Sequence, residues 1–317
     1  MGRCAQTDDD SLNTYHRRLT ITANHEYPIR SRRRSCDKEK EFRLRYEGFA
    51  AVYDRLMRDV PYERFLSIFD DALLYTGIVP TKLIDLGCGT GALIPELLER
   101  TRLVTGVDPS EQMLAVAAER MAGASHRVSF LQASAADLRV PQQADGCVAF
   151  CDVLSYVLTM EELTASFAAV RRAVKPGGLF LFDLHSPYKI THHIGNNVYY
   201  DVTPDAVALM NTTVDPSSQT VVYDLTLFAR ERKELYRRFD EEHRQRAYPL
   251  TDVVSALGRA GFAEVSVAGD LSFAWSDDRA VTLVKDRDMN VQPPSIHVRI
   301  ISEESVDTAL RWFFLAR

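Results

Sequence analysis

The chain reads as an α/β fold: a doubly wound sheet of mainly parallel strands, interrupted by an antiparallel β insertion. Three observations carry that reading. Short apolar runs alternate with amphipathic stretches of helical period from residue 62 to residue 183. The rhythm breaks over residues 186–248, where strand-like runs follow one another with no helix between them. It then resumes with a helix, a strand and a last apolar run at 310–316.

Tyr46, Phe49, Ala50, Tyr53, Leu56 and Met57 fall at helical spacing, and a second amphipathic stretch spans 62–75 after Pro61. Residues 82–86 form an apolar strand that ends in a glycine cluster. The spacing predicts a helix over 92–100, with Pro95 tolerable only near its first turn. A strand at 103–107 and a helix at 110–121 follow, with Ser110 as the N-cap. Strands are expected at 128–131 and 146–150, and a helix at 161–174 that stops at the turn Lys175-Pro176-Gly177-Gly178. A strand at 179–183 closes this half.

The insertion carries strand-like runs at 198–202, 207–214, 220–230 and 235–248, and Asp215-Pro216-Ser217-Ser218 is hairpin chemistry. Such an insertion is expected to cap the sheet. A helix over 251–260 stops at Gly261, and a strand follows at 263–267. Residues 276–306, with Pro293-Pro294, read as loop-rich. Residues 1–45 differ from the rest: apolar residues are sparse, and Asp8-Asp9-Asp10 and Arg30-Ser31-Arg32-Arg33-Arg34 are charge runs. They read as a disordered tail, with the folded domain over 46–317.

Charge narrows the function classes. The net charge of −6 excludes a basic whole-protein surface, although residues 1–45 carry a balance of +4. No apolar run reaches membrane length, and the first thirty residues lack an apolar leader segment, so a cytoplasmic protein is expected. Cys4, Cys36, Cys88, Cys147 and Cys151 form no CxxC pair, which points away from both a disulfide framework and a zinc site.

The chemistry centres on Asp85-Leu86-Gly87-Cys88-Gly89-Thr90-Gly91. A buried strand delivers a glycine turn at the start of a helix, where backbone approaches a ligand closely. Gly87-x-Gly89-x-x-Ala92 also fits a dinucleotide fingerprint, with Asp108 about 20 residues on to bind ribose hydroxyls. The glycines alone therefore leave a nicotinamide cofactor and S-adenosylmethionine both open. Asp85 favours the second, because its carboxylate repels a pyrophosphate and attracts an ammonium group.

On these residues the segment resembles motif I of class I S-adenosylmethionine-dependent methyltransferases. The resemblance covers roughly 46–317. Asp108, Pro109 and Met113 match the second motif, which implies that Asp108 meets the ribose and Met113 the adenine. Ser134 and Ala135 stand in the adenine-edge loop, where related families often carry an acid. Cys151, Asp152 and Tyr156 match the active-site segment after the fourth strand. The resemblance implies a Rossmann-like, seven-stranded sheet with a reversed last strand. Tyr46-x-x-Phe49-Ala50-x-x-Tyr53, Phe182-Asp183-x-His185-Ser186-Pro187-Tyr188-Lys189 and the charged run 237–248 are similar to a poorly characterised bacterial group acting on small molecules.

The cofactor-binding set expected is then Tyr46, Tyr53, Asp85, Gly87, Cys88, Gly89, Gly91, Asp108, Pro109, Met113, Ser134, Ala135 and Cys151. His185 is the expected general base, with Asp152 and Tyr156 beside it, His243 as a second base and no metal. Cys88 has no nearby histidine to make it a nucleophile, so it is expected to offer backbone contacts. The function expected is methyl transfer to nitrogen or oxygen of a small molecule. Three other readings remain: an NAD-linked oxidoreductase, a non-catalytic binding protein of the same fold, and an RNA methyltransferase using the basic tail.

Overall fold

The computed structural model describes residues 53–54, 57–58, 60–204, 206–270, 275, 281–282, 296–301 and 308–317. The expected tail and Tyr46 lie outside these residues. The first full element is helix α1 (Tyr62–Thr76), closed by Gly77 in the left-handed conformation. Strand β1 (Lys82–Leu86) runs into the glycine turn. Helix α2 (Ile94–Leu98) is shorter than the 92–100 expected and starts just before Pro95, because Pro95 is tolerated only in the first turn. Then come β2 (Leu103–Asp108) and α3 (Glu111–Arg120), whose N-cap Ser110 accepts a hydrogen bond from the Met113 amide. Strand β3 (Val128–Gln132), β4 (Ala144–Ala149), helix α4 (Met160–Ala173) and β5 (Val174–His185) complete the first half.

The expected turn at 175–178 is instead an excursion within β5. Ala144 of β4 pairs with Val174 and Gly146 with Leu179, so one residue of β4 spans four of β5. Gly178 fits there because a Cβ would meet the Asp145 carbonyl oxygen at 2.6 Å.

Strands β6 (Val198–Val202), β7 (Ala206–Asp215), β8 (Thr220–Arg232) and β9 (Leu235–Arg246) form a separate antiparallel sheet in simple order. The β7–β8 turn is held by Asp215, whose Oδ1 accepts from the Ser217 amide at 2.9 Å. Helix α5 (Leu250–Ala260) and β10 (Glu264–Gly269) return to the main sheet. The last elements are β11 (Val281–Thr282), β12 (His297–Ile301) and β13 (Arg311–Ala316).

The main sheet has the order β11-β12-β10-β13-β5-β4-β1-β2-β3. Strand β13 inserts antiparallel between β5 and β10, so the reversed last strand is present. The sheet is wider than the seven strands expected. Strand β12 adds parallel to β10 and β11 antiparallel to β12, inside the stretch read as loop-rich. A short edge strand facing one neighbour has too little apolar run to announce itself.

Both faces of the sheet are buried, which is why its strands are apolar runs rather than alternations. Phe180 and Phe182 of β5 and Phe314 of β13 pack with Leu163, Phe167, Val253 and Leu257 of α4 and α5. Leu179, Leu181 and Phe313 turn to the opposite face, with Phe65 and Phe69 of α1 and Ile94 and Leu97 of α2. Phe182 stacks on Phe314 at 4.8 Å between ring centroids. Two helical layers thus leave the carboxyl ends of β1, β2, β4 and β5 as the edge where side chains converge. No helix of the described residues is long and apolar enough to cross a membrane.

Candidate active site

The glycine turn after β1 is built on backbone that side chains resist. Gly87, Gly89 and Gly91 have φ of +73°, +51° and +72°. The Gly87 and Cys88 amides donate to the Val107 carbonyl at 2.7 and 3.0 Å, tying the turn to β2. A Cβ on Gly87 would sit 2.4 Å from both Val153 methyls, whereas one on Gly89 would meet nothing within 4 Å. Gly89 therefore faces open space at the strand ends, and Gly87 is packed against the wall. Gly87→Ala should lower the unfolding free energy by about 2–4 kcal/mol, from left-handed strain plus overpacking. Gly77→Ala, with φ +68° and no atom near its Cβ, isolates the strain alone, and urea melts of both variants give the clash by difference.

Asp85 stands on β1 between Gly106 of β2 and Val148 of β4. It is buried, and its Oδ2 has no hydrogen-bond partner. Burial first, then the Asp108 charge, push its carboxyl up to about 7. A buried, unpartnered carboxylate oxygen beside an open glycine turn fits a cationic ligand group. Asp108 closes the other side. Its Oδ2 accepts from the Gly89 amide at 3.0 Å and its Oδ1 from the Ser110 amide at 2.9 Å. Burial pushes this carboxyl up while the two amides pull it down. Cys88 is buried below the turn, its Sγ where a Gly106 Cβ would meet it at 3.0 Å, and burial pushes the thiol up, so no thiolate is available.

A strap crosses the turn from the N-terminal side. Thr90 Oγ1 donates to Asp54 Oδ1 at 2.5 Å, and Arg120 bonds both Asp54 and the Thr90 carbonyl. Tyr53 packs with Met113 and Val116 and with Ala206, Ala208 and Leu227 of the small sheet. Met113 is thus covered by the cap. Pro109 is exposed, and its carbonyl accepts from Gln132 Nε2 at 3.2 Å. Ser134 Oγ donates to Asp137 Oδ2 at 2.7 Å, so it is engaged in its own loop, and Ala135 packs against the core.

At the end of β4 the chain turns through two consecutive left-handed residues, Cys151 (φ +67°) and Asp152 (φ +62°). Such strain costs about 1–3 kcal/mol per residue and gathers at ligand sites. It aims Asp152 into a buried charge cluster. Asp152 Oδ2 accepts from Arg311 Nη2 at 2.7 Å, and its amide donates to Asp183 Oδ2 at 2.9 Å. Arg311 Nη1 bonds Asp183. Burial would raise Asp152, but Arg311, His185 and Lys189 outweigh it and hold the carboxyl well below the usual range. Asp183 is driven the other way, to about 7, by burial and the Asp152 charge against the pull of Arg311.

His185 is buried, with Nε2 2.8 Å from Gln245 Oε1 and Nδ1 2.9 Å from Asp152 Oδ1, out of line for a hydrogen bond. Burial lowers the imidazole against the pull of Asp152. Both ring nitrogens are therefore already faced by acceptors. Tyr156, 45% exposed, brings its hydroxyl 3.4 Å from His243 Nδ1 with the rings edge-on at 5.9 Å. The structure thus gathers His185, Asp152 and Tyr156 at one edge and Asp85, the glycines and Asp108 next to it.

Sequence reasoning missed Arg311, Gln245 and Tyr62. Tyr62 is pushed up by burial, with Cys151, Asp54 and Asp85 close by, which places it at the Asp85 edge. The signal for Arg311 was a cation opening an otherwise apolar strand. The cap's buried acids and amides alternate along β9 as Glu241, His243 and Gln245, a period-2 polar stripe facing inward.

A doubly wound sheet with a reversed strand between β5 and β10, and a buried carboxylate ahead of a glycine turn, defines the class I S-adenosylmethionine-dependent methyltransferases. Comparison with known proteins agrees. The family described as "Methyltransferase domain" matches residues 83–178. Over 228 residues the chain is 33% identical to the putative methyltransferase YqeM of Bacillus subtilis, covering 72% of this chain and 90% of that protein. The chain belongs to this methyltransferase family, and the oxidoreductase reading is set aside.

Among solved structures, an S-adenosylmethionine-dependent methyltransferase from Clostridium acetobutylicum superposes with a TM-score of 0.68 at 23% identity, over 86% of this chain and 98% of that one. An amino pentose methyltransferase from Micromonospora echinaspora does so with a TM-score of 0.60 at 17% identity, over 84% and 96%. At these identities the likeness is one of fold.

Proposed function

We propose that the enzyme methylates a nitrogen or oxygen of a small polar molecule held between the carboxyl ends of β4 and β5 and the inner face of the cap sheet. The observation that carries this reading is the polar stripe of the cap meeting the strand ends: Gln245 on His185 at 2.8 Å and His243 beside Tyr156 at 3.4 Å. A cap of this kind encloses a molecule of limited size and excludes water. The neighbour named as an amino pentose methyltransferase shares this fold, and an amino pentose is a small polar group, which supports the same substrate class here. The acidic chain disfavours a nucleic acid, and the free thiols Cys88, Cys147 and Cys151 suit a reducing cytosol.

S-adenosylmethionine supplies an activated methyl group on a sulfonium that is already a good leaving group. Asp85 would hold its ammonium and Asp108 its ribose hydroxyls, with the Gly89 turn giving the backbone approach. The chain's own contribution is position: the strained turn at Cys151 and Asp152 sets the acceptor in line, and alignment is worth up to about 7–11 kcal/mol. The Arg311 bridge fixes that turn from below.

Calorimetric titration tests the reading. S-adenosylmethionine is expected to bind and NADH not to; failure to bind either S-adenosylmethionine or its demethylated product overturns it. Removing residues 1–45 should leave turnover of a small acceptor unchanged, measured by S-adenosylhomocysteine release. Loss of that turnover would move the acceptor towards RNA.

A further inference from the structure

Methylating an N–H or O–H group leaves a proton to place, and the buried groups around Asp152 differ in how they could take it. His185 has Nε2 on Gln245 and Nδ1 against Asp152. Asp152 is held ionised by Arg311. Asp183 is fully enclosed, and Arg311 stays cationic. Lys189 differs. It opens the wide helical turn Lys189–Ile194, which starts four residues beyond His185 at the end of β5. Its side chain is 18% exposed, where that of Asp183 is not exposed at all. Its Nζ lies 4.0 Å from Asp152 Oδ2, close enough to feel that charge and too far for a hydrogen bond.

We infer that the Lys189 amine takes the acceptor's proton during transfer, an assignment that rests on the methyl-transfer reading above. The acceptor's X–H bond breaks as X–CH3 forms, and the electron pair of the S–CH3 bond stays on sulfur. The proton moves to Nζ, turning –NH2 into –NH3+, which later returns it to solvent. The surroundings suit this. Burial lowers the amine to about 8, Asp152 pulls it up, Arg311 pulls it down, and Asp183 and Asp270 add smaller upward pulls. Burial lowers His185 against the pull of Asp152, and Lys189 and Arg311 lower it further. About a quarter of the amine is then neutral at pH 7.5, and Asp152 stands ready to stabilise the ammonium once formed.

Trace acetylation of the intact protein with acetic anhydride, in the presence of S-adenosylhomocysteine and over pH 6–11, reads this amine directly by peptide mass spectrometry. Lys189 is expected to label with a midpoint near pH 8, with Lys82 and Lys175 as internal references. A midpoint at the ordinary lysine value, or no labelling at any pH, overturns the assignment. Turnover separates base from anchor, using glucosamine, ethanolamine and catechol as probe acceptors. Lys189→Gln should lower kcat by about 10²–10⁴-fold, leave S-adenosylmethionine affinity unchanged and remove the rise of kcat near pH 8. Lys189→Arg should be as slow; an active arginine variant would make Lys189 an anchor for an anionic acceptor and overturn the proposal. The acetylation decides whether or not a probe is turned over. Failure of the cofactor titration strikes the methyl-transfer reading and is distinguishable from failure at Lys189.

Discussion

Asp85→Ala is expected to weaken S-adenosylmethionine binding by about 10- to 150-fold, the loss of one charge-assisted contact of about 1.5–3 kcal/mol. The same contact makes binding pH-dependent with a definite sign. Burial and Asp108 raise the Asp85 carboxyl to about 7 in the free protein. Pairing with an ammonium needs the ionised form, so binding expels a proton at acidic pH. Affinity should therefore rise with pH, by about 30-fold between pH 5.5 and 8, and level off above. Asp85→Asn keeps the shape and removes the titration, so its affinity should be low and flat with pH. Folding stability carries the opposite trend. A folded-state value raised above the unfolded one stabilises at low pH, and that stability is lost as pH rises from the ordinary carboxylate range through about 7. Thermal melts of the ligand-free protein should show this fall, and the asparagine variant should lack it. A pH slope in binding that survives in Asp85→Asn would mean that Asp85 does not meet the ammonium.

Asp85 was legible because everything that defines it is local. A strand, a carboxylate and three glycines lie within ten residues, and glycine accepts the three left-handed conformations found there without strain. The cap was legible for a similar reason: Asp215-Pro216-Ser217-Ser218 specifies its own turn through bonds among four neighbours. The excursion at 175–178 was half legible. Its proline and glycines announced a break, but only pairing with β4 shows that the strand continues through it. The charge cluster was not legible, because it is assembled across the fold. Arg311 meets Asp183 from 128 residues away and Asp152 from 159, and His185 meets Gln245 across 60. Periodicity says which face a residue takes and nothing about which distant strand arrives opposite. His185 shows the consequence. A histidine after the fifth strand was expected at the edge, yet its burial and its two neighbours come from other elements, which set Nε2 on Gln245 and Nδ1 beside Asp152.

Arg311→Met should be the most destabilising single change at the site, lowering the unfolding free energy by about 3–5 kcal/mol at pH 8. The methionine fills much of the same volume, so the loss reports charge rather than packing. Arg311 is the cation shared by Asp152 and Asp183, and its side chain is only 14% exposed while that of Asp183 is not exposed at all. Without it, the Asp152 and Asp183 carboxylates lose the guanidinium they share, and Asp183 keeps the Asp152 amide at 2.9 Å. Both must then rise in the folded state, Asp152 from well below the usual range and Asp183 from about 7. A folded protein that holds protons the unfolded chain releases loses stability as pH rises, so the deficit should be largest above neutrality and shrink towards pH 4. Urea melts of wild type and variant at pH 5 and pH 8 test the sign directly. Adding Asp183→Asn to Arg311→Met removes one of the stranded charges and should recover part of the loss at pH 8 and little at pH 5. A deficit of equal size at both pH values would assign Arg311 to packing against Phe65, whose ring centroid lies 5.2 Å from the guanidinium carbon. The charge account predicts that stability and catalysis separate here. The bridge holds the strained turn at Cys151 and Asp152, so the variant should bind cofactor through Asp85 and Asp108 while losing alignment of the acceptor, a fall in kcat at nearly constant cofactor affinity.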